Sequence, residues 1–188
     1  RGLYRGGLAR LAQGVVFPAG YQAHAATETC PGHSTILTGS HPARTGIIAN
    51  NWFDLSVARA DKKLYCAEDP AVPGTSSASG QYAPSAGHLL TPTLGALMKA
   101  RDPRSRVVAV AGKDRAAIMM AGRGADEVLW LAHAGLTSYR GTALSPMAGQ
   151  AGRAIGAAIT AATPPLDLPL PCAARDIAIP LPSGGTVG

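Results

Sequence analysis

Apolar residues come in short bursts along this chain, and their spacing predicts alternating helices and strands. Leu3, Leu8 and Leu11, with Arg5 and Arg10 between them, predict an amphipathic helix from Leu3 to Ala12 that ends near Gly14. Val15-Val16-Phe17 is a short apolar run and predicts a strand. Thr27 to Gly39 reads as a loop running into a short helix. Pro31 suits the first helical position, where its fixed φ helps and its missing N–H costs nothing. Gly39 suits the position just past the end, where left-handed backbone is often needed. Thr29 is therefore expected just before a helix N-terminus, with Thr29 or Cys30 as the cap. Pro42 and Gly46 mark a turn. Ile47-Ile48-Ala49 predicts a second short strand that delivers Asn50-Asn51-Trp52-Phe53-Asp54 into a loop, and Leu64-Tyr65-Cys66 reads as an edge strand.

Pro70 to Gly80 is rich in Pro, Gly and Ser and predicts a loop. Thr91 then reads as an N-cap with Pro92 at the first helical position, and Leu94, Leu97 and Met98 give the stripe of a surface helix. Arg101-Asp102-Pro103 stops it. Val107 to Ala111 is continuously apolar, as expected of a buried parallel strand. It runs into the polar turn Gly112-Lys113-Asp114-Arg115, and Ala116 to Ala121 resumes as an apolar helix. In α/β proteins this corner, at the carboxyl end of a strand, is where ligand-binding groups are placed. Val128 to Leu131 predicts another strand, and Ala143 to Ala162 a helix stopped by Pro164-Pro165. The alternation predicts an α/β sandwich with a largely parallel sheet and no internal repeat.

Composition narrows the partners. The 188 residues carry a formal charge of +6, with 46% hydrophobic and 5% aromatic residues. Such a charge suits an anionic substrate and is equally compatible with nucleic acid or an acidic surface. There is no dense Lys/Arg run and no interleaving of aromatics with basic residues, so nucleic acid is not an expected partner. Cys30, Cys66 and Cys172 lack CxxC spacing, which argues against a structural zinc site. One disulfide with a free thiol, or no disulfide, are both compatible with three cysteines. No apolar run reaches the ~20 residues that span a membrane. The chain begins with Arg1 and ends on Ser183-Gly184-Gly185-Thr186-Val187-Gly188, which completes no obvious element. Residues 1–188 thus read as one partial catalytic domain, truncated at both ends.

Several common sites fail on their spacing. Gly32-His33-Ser34-Thr35-Ile36 has Ile36 where a serine-hydrolase elbow requires glycine. Gly112-Lys113-Asp114 lacks the upstream Gly and the Ser/Thr of a P-loop, and neither HExxH nor GxGxxG occurs. A different set spans three loops. Thr29 offers a hydroxyl at a helix N-terminus, where free N–H groups and the helix dipole favour an anion. Asn50 offers a neutral amide, and Lys113 and Arg115 offer two cations at the strand–helix corner. A phosphoryl group needs such company: its non-bridging oxygens match a guanidinium fork, an ammonium and an amide while a hydroxyl attacks phosphorus in line. A threonine hydroxyl is a poor nucleophile without activation, and metal coordination is the usual remedy.

Thr29-Cys30-Pro31-Gly32-His33, Thr38-Gly39, Gly46-Ile47, Asn50-Asn51-Trp52 and Lys113-Asp114-Arg115, in this order, resemble the alkaline phosphatase superfamily. More narrowly, they are similar to the bacterial alkaline phosphatases with a threonine nucleophile, relatives of the nucleotide pyrophosphatase/phosphodiesterases. The resemblance runs from about Leu8 to the end. It implies an alkaline-phosphatase-like sandwich, here incomplete. It also implies hydrolysis of a small-molecule phosphate monoester through a phosphothreonine at Thr29, with Asn50, Lys113 and Arg115 holding phosphate oxygens. Two Zn²⁺ ions would activate the threonine and the later water. Their ligands in the family are an Asp upstream of this chain's start and Asp and His residues well downstream. Thr29 alone is matched here to a metal.

The remaining polar residues carry plainer expectations. Glu28, Asp54, Asp61, Glu68, Asp69 and Asp114 are scattered and form no metal-ligand pattern. Asp114, between two cations, reads as an ion-pair partner or helix cap. His33 reads as a structural hydrogen-bonding residue, His24, His41, His88 and His133 as surface or packing residues, and Trp52 as packing beside the site. The alternatives to a monoesterase are a phosphodiesterase or nucleotide pyrophosphatase of the same superfamily, and an inactive fragment that only binds phosphate. The resemblance further implies a periplasmic or secreted protein, in which Cys30 and Cys66 could pair.

Overall fold

A computed structural model of the chain describes residues 5–21, 23–132, 135–161, 167–174 and 177–187. The expectations at Leu3, His133, Ala162, Pro164, Pro165 and Gly188 lie outside the described residues. The chain divides into two compact units, Arg1–Gly156 and Ala157–Gly188.

The first unit opens with a single exposed helical stretch, α1 (Gly7–Leu11). The strand expected at Val15-Val16-Phe17 does not form: these side chains are 84%, 70% and 82% exposed. No strand among the described residues pairs with the run, and Pro18 behind it removes a backbone donor. Helix α2 spans Thr29–Thr38, with Glu28 as N-cap in extended conformation and Gly39 left-handed at φ 63°. Thr29 is thus the first helical residue rather than the residue before it. Pro31 sits third instead of first, still within the first turn, where N–H groups have no helical partner to lose.

Pro42–Thr45 tightens into one helical turn, α3, closed by Gly46 at φ 77°. A Cβ on Gly46 would stand 3.0 Å from the His88 carbonyl oxygen and from Leu90, so this turn admits only glycine. Ile47-Ile48-Ala49 is not a strand, as had been expected. Ile47 is fully buried as an anchor while Ile48 is half exposed, and the strand β1 begins later, at Asn51–Phe53. It pairs antiparallel with β2 (Lys63–Tyr65). Pro70 to Gly80 is a loop apart from one 3-10 turn at Ser77–Ser79.

Helix α4 (Leu94–Arg101) starts two residues later than Thr91-Pro92 suggested. Thr93 is the cap: its Oγ1 accepts from the Ala96 N–H at 3.3 Å and donates to the Ala121 carbonyl at 3.0 Å. The buried Thr93 satisfies two backbone groups at this helix start, whereas the half-buried Thr91 turns its hydroxyl to the Arg44 carbonyl instead. The expected stripe of Leu94, Leu97 and Met98 stays more than half exposed.

Strand β3 (Val108–Ala111) runs parallel to β4 (Glu127–Ala132), and α5 (Asp114–Ala121) makes the crossover between them. The strand β5 (Gly135–Thr137) pairs antiparallel with the far side of β4. Among the described residues β3 is therefore an edge strand, with Val108 and Val110 57% and 61% exposed where a buried strand had been expected. The pair β3–β4 is parallel, and the other strand pairs are antiparallel. Helix α6 (Pro146–Thr160) lies close over β5: a Cβ on Gly135 would meet the Gly152 carbonyl.

The core joins the two layers that matter for the site. Ala117, Ile118 and Met119 of α5, Val128 and Trp130 of β4, and Cys30, Ile47, Tyr65 and Cys66 form one buried cluster. Helix α5 packs against α2, and burial of Ile118 and Met119 contributes roughly 1.5–3 kcal/mol each. The second unit contains the last turn of α6, the short α7 (Leu170–Ala173) and a hairpin of β6 (Ile179–Pro180) and β7 (Thr186–Val187). The tail at Ser183 to Val187, expected to complete no element, closes this hairpin.

Candidate active site

The N-terminus of α2 is where the first two predicted site residues meet. Glu28 is extended, so the helix begins sharply at Thr29, and its first backbone N–H groups need partners outside the helix. Asn50 supplies one: its Oδ1 accepts from the Cys30 N–H at 2.9 Å. The Asn50 N–H donates to Glu28 Oε2 at 2.5 Å, and the Asn50 carbonyl accepts from the Cys66 N–H at 3.0 Å. Asn50 is held at three points. With its amide oxygen committed to the helix, what the side chain has left to offer is its pair of N–H donors. That is the polarity a phosphate oxygen requires.

A disulfide between Cys30 and Cys66, with Cα atoms 6.4 Å apart, joins the residue after Thr29 to the end of β2. The residue before Cys66 is Tyr65, and it leads to the second pair of predicted site residues. Its hydroxyl accepts from Arg115 Nη1 at 3.3 Å and donates to the Asp114 carboxylate, whose oxygens lie 3.0 and 3.1 Å away. The Tyr82 hydroxyl donates to the same carboxylate. Burial pushes the Tyr65 pKa up to about 12, with Asp114 adding to the rise and Arg115 opposing it. The hydrogen bond to Tyr65 raises the Arg115 pKa further, so the guanidinium stays charged. Lys113 is the exposed N-cap of α5, and no hydrogen bond or ion pair to its ammonium is found among the described residues.

The structure thus holds Asn50 to the two residues that flank Thr29, Cys30 and Glu28. Arg115 is linked to them through Tyr65, Cys66 and the disulfide, while Lys113 stands two residues before Arg115 at the start of α5. Residues 4–140 match the family model for type I phosphodiesterase / nucleotide pyrophosphatase. The chain belongs to this family.

Among curated members with similar sequences, alkaline phosphatase PhoK of Sphingomonas sp is 56% identical over the whole chain, which covers 34% of that relative. Alkaline phosphatase PhoD of Zymomonas mobilis is 60% identical over 68% of the chain and 22% of the relative. The chain therefore spans between about a fifth and a third of the length of these relatives. Among solved structures, wild-type alkaline phosphatase PafA superposes with a TM-score of 0.55 at 29% identity, over 68% of this chain and 25% of that one. That neighbour establishes an alkaline-phosphatase-like α/β fold. A PafA variant substituted at a threonine, an asparagine, a lysine and an arginine matches with the same score and coverage at 26% identity.

Within this family member, the other polar residues sort by their partners. Asp114 forms neither the ion pair nor the helix cap expected of it, because two tyrosine hydroxyls take its carboxylate. His33 Nδ1 donates to the Thr29 carbonyl at 2.7 Å, which commits it to the helix, as a structural histidine. Trp52 packs edge-on against His88 at 5.2 Å, and burial lowers the His88 pKa. Glu68, fully buried, accepts from Arg59 at 2.7 Å and from the Tyr65 N–H at 2.8 Å. No group of three or more His, Cys, Asp or Glu that could hold a metal ion occurs among the described residues.

Sequence reasoning missed the supports: Glu28 under Asn50, and Tyr65 and Tyr82 around Asp114. Tyr65 carried a usable signal in its place beside Cys66. Tyr82 follows a Pro/Gly/Ser-rich loop with no periodicity and carried none.

Proposed function

We propose that the full-length protein hydrolyses phosphate monoesters, with Thr29 as nucleophile and Asn50, Lys113 and Arg115 as the phosphate clamp. The observation that carries this reading is the Cys30–Asn50 hydrogen bond, which commits the Asn50 amide oxygen to the helix and leaves its N–H donors for phosphate beside the Thr29 hydroxyl. The Thr29 hydroxyl releases its proton to solvent as its oxygen bonds to phosphorus and the bond to the leaving oxygen breaks, and the departing alkoxide takes up a proton from water. Water then cleaves the phosphothreonine to inorganic phosphate and restores Thr29. Asn50 donates to one non-bridging oxygen, and the two cations offset the charge on the others. The names of PhoK, PhoD and PafA support a phosphatase. The PafA variant supports the constellation, because its four substituted residues are of the same types. The spacings from threonine to asparagine and from lysine to arginine are also those of Thr29 to Asn50 and Lys113 to Arg115.

Two Zn²⁺ ions would complete this proposal, and among the described residues Thr29 is the one that would contact them. Their ligands lie elsewhere in the full-length protein, and the isolated 188 residues bind phosphate without turnover. Residues 1–188 form part of one catalytic domain whose sheet becomes largely parallel when complete. The Cys30–Cys66 disulfide supports a periplasmic or secreted location, since such bonds persist in oxidising compartments. No helix among the described residues is long and apolar enough to cross a membrane.

The family's description favours a second reading, a phosphodiesterase or nucleotide pyrophosphatase. Two cations suit a dianionic monoester, whereas a diester carries one charge fewer and an added substituent. The full-length protein with Zn²⁺ is expected to hydrolyse p-nitrophenyl phosphate faster than bis-p-nitrophenyl phosphate. Thr29→Ala is expected to abolish turnover. Unchanged turnover in Thr29→Ala would rule out the nucleophile, and a reversed substrate preference would establish the second reading.

A further inference from the structure

Arg115 makes one side-chain hydrogen bond among the described residues, and the group that receives it is unusual in its surroundings. The Tyr65 hydroxyl has one proton, and the Asp114 carboxylate, an acceptor only, takes it at 3.0–3.1 Å. The oxygen lone pair is what remains for Arg115 Nη1 at 3.3 Å. Tyr82 donates to Asp114 as well, so the carboxylate is fixed from two sides. Tyr65 and Tyr82 are themselves packed edge-to-face, with ring centroids 5.0 Å apart. Arg115 Nε is buried without a partner, so Tyr65 alone among the described residues restrains the guanidinium by hydrogen bonding. Tyr65 is in turn held by the β1–β2 ladder, by Glu68 at its backbone N–H and by the neighbouring disulfide.

We propose that Tyr65 is a positioning residue for the phosphate clamp. Its hydroxyl, polarised by Asp114, sets the orientation of the Arg115 guanidinium toward the dianionic phosphate. This deepens the phosphomonoesterase reading and rests on it. The carboxylate also has a reason to be shielded by two hydroxyls. A bare Asp114 beside Arg115 would pair with the guanidinium and withdraw it from substrate, whereas an Asp114 already satisfied by two O–H donors leaves the fork available. The hydroxyl transmits the pull of the carboxylate without letting the ion pair form.

The test compares full-length wild type, Tyr65→Phe, Arg115→Ala and the double variant, each with Zn²⁺, on p-nitrophenyl phosphate and bis-p-nitrophenyl phosphate. Tyr65→Phe keeps the ring and loses only the hydroxyl. It is expected to lower kcat/KM for the monoester about tenfold, the scale of one lost hydrogen bond with some misplacement of the group it holds. The diester is expected to change far less, and inhibition by inorganic phosphate should weaken in parallel. In the Arg115→Ala background the same change is expected to have no further effect. A merely structural tyrosine would lower both substrates equally and add to Arg115→Ala, and that result would overturn the proposal. Asp114→Asn provides a second arm should Tyr65→Phe fold poorly. It is expected to reduce monoester turnover non-additively with Arg115→Ala, and an additive loss would count against the proposal. Wild-type protein with no monoesterase activity would remove the underlying reading together with this one. Active wild type with an unaltered monoester-to-diester ratio in Tyr65→Phe would remove the positioning role alone.

Discussion

The Cys30–Cys66 bond offers the most quantitative handle on this structure, because it ties the helix of the proposed nucleophile to the strand that carries Tyr65. Reduction of the full-length protein, or Cys66→Ala, removes the link. The two cysteines are 36 residues apart in sequence, and both are fully buried in the core cluster. Closing a loop of that length removes chain entropy from the unfolded ensemble worth about 4 kcal/mol. With a urea slope of roughly 3–4 kcal/mol/M, the unfolding midpoint is expected about 1 M lower after reduction. Cys66→Ala should shift at least as far, since it also deletes a sulfur from a packed site. The measurement is urea unfolding followed by tryptophan fluorescence, oxidised against reduced, with phosphatase rates recorded in parallel. Thr29 adjoins one end of the bridge and Tyr65 the other, so turnover should fall before global unfolding begins. Coincident unfolding curves would refute the reasoning. So would alkylation and mass mapping that found Cys30 and Cys66 as free as the exposed Cys172.

Arg59→Ala leaves the fully buried Glu68 carboxylate without its cation, and breaking such a pair from one side costs about 3–5 kcal/mol; a melting temperature within a degree of wild type would contradict this. Stability is also expected to fall steeply in alkali. Tyr65 is raised from its ordinary 10.0 to about 12, as is Tyr139 by burial, and Tyr82 is raised as well. Below about pH 10 both folded and unfolded chains keep these protons and the stabilisation is whole. As pH rises from 10 to 12 the unfolded chain loses them first, so folding weakens across that window. Melting temperatures between pH 9 and 12 should therefore drop less steeply in Tyr65→Phe than in wild type.

Local chemistry settled a good part of this protein in the sequence itself. Gly39 ends the helix that starts at Thr29 and Pro31 falls within its first turn, and the apolar run of Val107 to Ala111 with its polar turn marked the strand–helix corner of Lys113 and Arg115. Both are short-range signals, set by backbone restriction and by the period of apolar residues. Short-range signals also failed where long-range pairing was needed. Among the described residues, Val15-Val16-Phe17 and Ile47-Ile48-Ala49 have strand composition but no partner strand, and Val108 and Val110 have buried-strand composition on an exposed edge. Thr93 displaced Thr91 as a helix cap because it reaches the Ala121 carbonyl, 28 residues on. The tertiary structure alone decided how the site is held. The amide oxygen of Asn50 is committed to Cys30, Asp114 goes to Tyr65 and Tyr82 rather than to its neighbouring cations, and Arg115 rests on a hydroxyl 50 residues away. Residue types and spacing nominate the groups proposed for phosphate chemistry. Which of their donors remain free depends on hydrogen bonds between distant segments, and those exist only once the core has closed.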